Sequence, residues 1–138
     1  MPPAIEGILE TALYAKDLDA AEAFYGDLLG LERIVRVEGR HVFFRCGAGV
    51  LLVFNPQATV VPPSPGGLPV PPHGARGPGH VCFRVAAADL DFWAKKLVEA
   101  GIAIEADFRW PNGARSIYFR DPAGNSIECA EPALWATT

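Results

Sequence analysis

Apolar side chains alternate over residues 8–14, a period of two that predicts a strand, and Asp17 or Asp19 then caps an amphipathic helix running to about Leu29, where Gly30 stops it. Strands are predicted at 32–37 and 40–46, the Gly47-Ala48-Gly49 turn follows, and residues 50–54 complete a third. The order recurs further along. Residues 80–85 read as a strand, 89–100 as a helix stopped by Gly101, and 102–108, 115–120 and 126–130 as three more strands. Each half is therefore β, α, β, β, β.

The residues repeat as well as the pattern. The run Arg-His-Val-Phe-Phe-Arg-Cys at 40–46 matches Arg-Ser-Ile-Tyr-Phe-Arg-Asp at 115–121, and Ala48-Gly49 falls on Ala123-Gly124. On the opening strands Glu10 falls on His80 and Leu13 on Phe83, while Leu18-Asp19 falls on Leu90-Asp91 at the helix starts. Four short matches in register point to a duplication. The predicted fold class is α+β, two βαβββ modules whose mixed sheet curves around a central pocket, with module 1 at about 6–56 and module 2 at about 79–132.

Between them, about 57–78 is a Pro/Gly-rich linker that includes Pro62-Pro63, Pro71-Pro72 and the run 74–79; its prolines predict no regular structure. It is either a spacer or a cover over a site, and His73 within it is assigned no role. With 138 residues, half of them hydrophobic, one domain is the default. A net charge of -4 without a Lys/Arg cluster argues against nucleic acid or anionic lipid as partner and leaves a small molecule. No basic leader and no run near the roughly 18 apolar residues of a membrane span is present, so a cytoplasmic protein is expected. Cys46, Cys82 and Cys129 are scattered and odd in number, which fits reduced packing residues better than a disulfide framework.

Alternation also sorts each strand into two faces. Leu9, Leu13 and Ala15, then Val81, Phe83 and Val85, then Ile127 and Cys129 form the sets expected to pack on helices. The opposite sets are Glu10, Ala12 and Tyr14; His80, Cys82 and Arg84; Ser126, Glu128 and Ala130. If both sheets line one cavity, Glu10 and His80 face each other across a pseudo-twofold axis with Glu128 beside them. Two carboxylates in a partly dry pocket repel, and a divalent cation would balance them. One imidazole and two carboxylates suit an octahedral ion such as Mn, Fe, Co or Ni, and zinc also takes such donors. Taken singly, each residue reads more readily as a surface carboxylate or a core histidine; the symmetric placement favours the metal.

These halves, with Asp-Leu-Asp-Ala-Ala-Glu-Ala-Phe-Tyr at 17–25 and Tyr-Phe-Arg-Asp-Pro-Ala-Gly-Asn-Ser-Ile-Glu at 118–128, resemble the vicinal oxygen chelate superfamily of glyoxalases, bleomycin-resistance proteins and extradiol dioxygenases. The resemblance covers nearly the whole chain. It implies ligands at Glu10, His80, Leu52 and Glu128, of which Leu52 cannot bind metal, so a three-ligand site is expected and a four-ligand glyoxalase I becomes a weaker match. Glu10 stands where the family usually has histidine, which favours harder ions over a ferrous ring-cleaving site. Tyr118 matches a site-lining tyrosine of ring-cleaving members, or is a half-buried packing aromatic.

Glu10 and Tyr118 are thus the candidate catalytic residues, with His41, Phe43, Leu52, Arg84 and Tyr118 as candidate substrate contacts. His41 reads more readily as a solvated strand-edge histidine than as a proton carrier. Arg84, Arg115 and Arg120 are more often surface ion-pair partners than anion binders. The resemblance implies a metal-dependent lyase, isomerase or dioxygenase that chelates a small substrate through neighbouring oxygens, and a homodimer. A metal-free protein sequestering an aromatic ligand, of bleomycin-resistance type, is the alternative.

Overall fold

The computed structural model describes residues 1–136, and among these eight strands form two four-stranded sheets. The chain divides into two compact units, one ending at Arg76 and the other beginning at Gly77. In the first unit, β1 (Glu10–Tyr14), α1 (Leu18–Glu22), β2 (Glu32–Val37), β3 (His41–Cys46) and β4 (Gly49–Phe54) give the sheet order β1-β4-β3-β2. The second unit has β5 (His80–Arg84), α3 (Leu90–Glu99), β6 (Ala106–Arg109), β7 (Arg115–Arg120) and β8 (Ser126–Ala130), in the order β5-β8-β7-β6. In each unit the first strand pairs parallel with the last and the other pairs are antiparallel. The α+β class and the duplicated βαβββ order follow the hydrophobic pattern.

Alternation decides which face is covered. Leu13, Val42, Phe44, Leu51 and Val53 are buried on the face that meets the helix, with the Tyr25 ring 5.9 Å from Phe44. The corresponding face in the second unit buries Ile117, Phe119, Ile127 and Cys129, and Leu90 and Leu97 of α3 are fully buried.

The first helix differs from expectation. Asp17 caps it, its carboxylate accepting from the Ala20 N–H at 3.0 Å, but after Glu22 the chain continues as a π-helix over Ala23–Leu28. Phe24 and Tyr25 are adjacent and both buried, and a wider turn lets both rings reach the interior. Leu9, expected to pack inward, is 79% exposed because it precedes the ladder and no element covers it. Val81, Phe83 and Val85 are only half-buried, since β5 is an edge strand. The predicted strand at 102–108 is shorter and later, at Ala106–Arg109.

The proline-rich stretch is not wholly irregular. Pro56 starts a short helix, α2 (Pro56–Thr59), capped by Asn55, whose side chain accepts from the Gln57 N–H at 3.1 Å. His73, given no role from sequence, is tied back to the first unit: its N–H donates to the Thr59 carbonyl and its Nδ1 lies 2.7 Å from the Tyr14 hydroxyl.

Candidate metal centre

Glu128 sits where it does because of the turn before it. Asp121 Oδ1 accepts from the backbone N–H of Ala123 and Asn125, and its Oδ2 from the Asn125 side-chain amide. Gly124 adopts φ +90°, a conformation other residues rarely take. Asn125 Oδ1 in turn accepts from the Gly79 N–H at 2.8 Å, and the Ser126 N–H donates to the Gly79 carbonyl. The turn therefore clamps the start of β5 to the start of β8, and His80 pairs with Ser126.

His80 presents one ring nitrogen for binding. Its Nδ1 lies 2.9 Å from the Ser126 carbonyl, and because a carbonyl only accepts, Nδ1 carries the hydrogen and Nε2 of the neutral ring carries the lone pair. That Nε2 is 3.3 Å from Oε1 of Glu128, whose residue is 4% exposed. Two lone-pair donors at that distance repel unless the ring is protonated or a cation joins them. Nitrogen and oxygen ligands bonded at about 2.0–2.2 Å in adjacent positions stand about 3.0–3.5 Å apart, so the pair fits a divalent ion.

The other carboxylate oxygen is occupied. Oε2 accepts from the Ser116 hydroxyl at 2.6 Å, and the Ser116 oxygen accepts from the Trp110 indole N–H at 2.8 Å. The phenol of Tyr118, across from Glu128 on β7, is pushed up to about 12, by burial first and then by the Glu128 carboxylate. Cys82, opposite Glu128 on β5, is likewise raised to about 12, by desolvation first and by Glu128 next. Both groups keep their protons at neutral pH. His80, Cys82, Tyr118 and Glu128 line a cleft of about 520 Å³, walled by Trp110, Pro111, Asn112, Leu134 and Trp135. Asn112 fastens that wall, donating to the carbonyls of Ala133 and Leu134.

The other expected site residues lie as follows. Glu10 is exposed on β1 of the first unit, and among the described residues no group of three or more His, Cys, Asp or Glu side chains is gathered to hold a metal. Leu52 is 8% exposed on β4, paired with Ala12 and Phe43. His41 is not a solvated edge residue: it stacks on Phe43 at 4.0 Å, its Nδ1 is buried without a partner, and burial, then Arg40, hold its pKa below the usual value. Phe54 joins His41 and Phe43, with the His73 ring 4.6 Å away. Arg84 is exposed on β5. Arg115 pairs with Asp91 and Asp107, and Arg120 with Glu105, the surface role expected of them. Ser116 is the neighbour of Glu128 that the pattern alone did not single out; the signal was a hydroxyl at a strand position that must be buried.

A duplicated βαβββ fold, with an imidazole and a carboxylate paired on one sheet face, defines the class. The model for the Glyoxalase/Bleomycin resistance protein/Dioxygenase superfamily matches residues 7–129, and the chain belongs to that superfamily. Lactoylglutathione lyase from Agrobacterium tumefaciens superposes with a TM-score of 0.91 at 48% identity, covering 99% of this chain and 100% of that one. The metallothiol transferase FosB of Bacillus licheniformis is 28% identical over 125 residues, 90% of this chain and 74% of that protein. The fosfomycin resistance protein FosX from Listeria monocytogenes shares the fold, with a TM-score of 0.69 at 18% identity over 92% of this chain and 91% of that one. Among the described residues no helix is long and apolar enough to cross a membrane.

Proposed function

We propose that this chain is a divalent-metal-dependent enzyme in which His80 and Glu128 hold the ion and a small substrate binds through two neighbouring oxygens. The observation that carries this reading is the His80–Glu128 pair, with Nδ1 spent on the Ser126 carbonyl and Nε2 set 3.3 Å from a buried carboxylate oxygen. When bound, the metal supplies a Lewis acid for charge that develops on the substrate oxygens. Glu10, a carboxylate on the strand equivalent to that of His80, is assigned both a ligand position and the movement of a proton. Tyr118 holds its proton and serves as a hydrogen-bond donor in the cleft rather than as a base. Trp110, Leu134 and Trp135 give one wall of the cleft an apolar surface.

Among reaction types, a lyase or isomerase is favoured over ring cleavage, supported by the name of the 48%-identical lactoylglutathione lyase and by Glu10 in place of histidine. Leu52 keeps the ligand set at three, one fewer than a four-ligand glyoxalase I. Two of the named relatives, the lactoylglutathione lyase and the metallothiol transferase FosB, support a thiol-derived adduct as substrate. The protonated Cys82 then contacts substrate rather than attacking it. The chain is further assigned to the cytoplasm and to a homodimer, for which the exposed Ile34, Val35 and Val37 of β2 supply apolar surface.

A second reading, metal-free sequestration of an aromatic ligand, is supported by the aromatic face of Tyr14, His41, Phe43 and Phe54. Metal analysis of protein purified without chelator or metal-affinity tag separates the two. The enzyme reading expects about one divalent ion per chain, lost in Glu128→Ala; absence of metal from the wild type after incubation with Mn, Co, Ni and Zn salts would sink it.

A further inference from the structure

We propose that Trp110 and Ser116 are positioning residues for the metal-binding carboxylate of Glu128, acting through a one-way chain of hydrogen bonds. The inference rests on the metal reading above. An indole N–H can only donate, and it donates to the Ser116 oxygen at 2.8 Å; the single hydroxyl hydrogen is thereby directed to Glu128 Oε2, at 2.6 Å. One oxygen of Glu128 is therefore committed, and Oε1, the one facing His80 Nε2, is left for a cation. The carboxylate is held as a single-oxygen donor at a fixed rotamer.

Three further observations support the assignment. Ser116 is fully buried, so its hydroxyl has no role in solvation and would be a cost without this pairing. The Trp110 ring is itself held, edge to face against Phe108 with centroids 4.9 Å apart. Where the first module has Leu52 in place of Glu128, it also has His41 in place of Ser116, so the hydroxyl is missing where the carboxylate is missing. Because Trp110 also lines the cleft, whatever occupies that wall is linked mechanically to the ligand oxygen.

The test titrates full-length wild type, Ser116→Ala, Trp110→Phe and the double variant with Co²⁺, following the visible absorption bands of the ion, and records the indole N–H signals of the metal-free proteins by NMR. Loss of an outer partner weakens metal binding by about 10-fold or more. Each single variant is expected to raise the Co²⁺ Kd by about that factor, and the double variant by no more than the worse single, since one chain is broken in either place. In metal-free protein, the Trp110 indole signal should move in Ser116→Ala and in Glu128→Gln. Equal Co²⁺ affinity in wild type and both single variants, or an indole signal indifferent to Ser116 and Glu128, overturns the proposal. If wild type takes up no Co²⁺, the metal reading fails, and with it the positioning role, whatever the indole signals show.

Discussion

Replacing Glu128 by Leu together with Ser116 by Ala should make the metal-free protein more stable while abolishing metal binding. Glu128 is 4% exposed and Ser116 fully buried, so both polar groups have been taken out of water. A buried polar or ionic set exchanged for well-packed apolar groups of similar volume is neutral to stabilising by about 1–4 kcal/mol. Burying a leucine contributes about 1.5–3 kcal/mol relative to leaving it exposed. Against this stands one orphaned donor, the Trp110 indole, costing up to about 1 kcal/mol, since it lines the cleft and water can replace the lost partner. The equivalent strand position in the first module already holds a buried leucine, Leu52, so the sheet accommodates the side chain. The net expectation is a gain of about 1–3 kcal/mol, or a Tm higher by about 3–12 °C for a chain of this size. Scanning calorimetry of chelator-treated proteins at neutral pH measures it. Added Co²⁺ should raise the Tm of the wild type and leave that of the double variant unchanged. A metal-free double variant less stable than wild type would refute the reasoning, because the carboxylate would then be serving the fold.

Two pH effects follow from the buried groups. The Cys129 thiol is raised from its ordinary 9.0 to about 12, by burial first and then by Glu128, so the unfolded chain loses that proton at lower pH than the folded one and stability falls as pH rises from about 9 to about 12. The full loss, on the order of 3–4 kcal/mol, is reached near pH 12 and about half of it by pH 10.5, with Cys82 and Tyr118 acting in the same direction; urea midpoints at pH 8 and 10.5 should show that fall, and a flat profile would count against it. The His41 imidazole is held low by burial and then by Arg40, so its NMR titration midpoint should lie below 6.5, and Arg40→Gln should raise it only in part. The fold then loses stability as pH drops through the unfolded value near 6.5, the reverse of a histidine that gains a partner.

Period and punctuation made the architecture legible. Alternation at 40–46 and 115–121 marked the strands, and Gly30, Gly101 and Gly124 stop the helices and shape the turn, each at a positive φ. What escaped was set by tertiary packing: two adjacent buried rings widen the helix after Glu22, and the edge position of β5 leaves Val81 and Phe83 half-covered, neither of which a local pattern encodes. Of the site, His80 and Glu128 could be read from face and repeat, because strand pairing through the Asp121–Asn125 turn brings them together. Ser116 and His73 could not, because their placement depends on hydrogen-bond partners six to fifty-nine residues away.

The dual position of Trp110 constrains how the cleft can be redesigned. A scaffold whose ligand pair is clamped by one turn and whose walls come from separate loops ordinarily lets recognition be rewritten while the chemistry stands still. Here the wall is uneven: Pro111, Leu134 and Trp135 border the cleft without a place in the hydrogen-bond chain, whereas Trp110 belongs to both. Mutational libraries that seek new substrates should therefore diversify the first three and hold the fourth, since a change there alters the support of the Glu128 carboxylate along with the shape of the pocket.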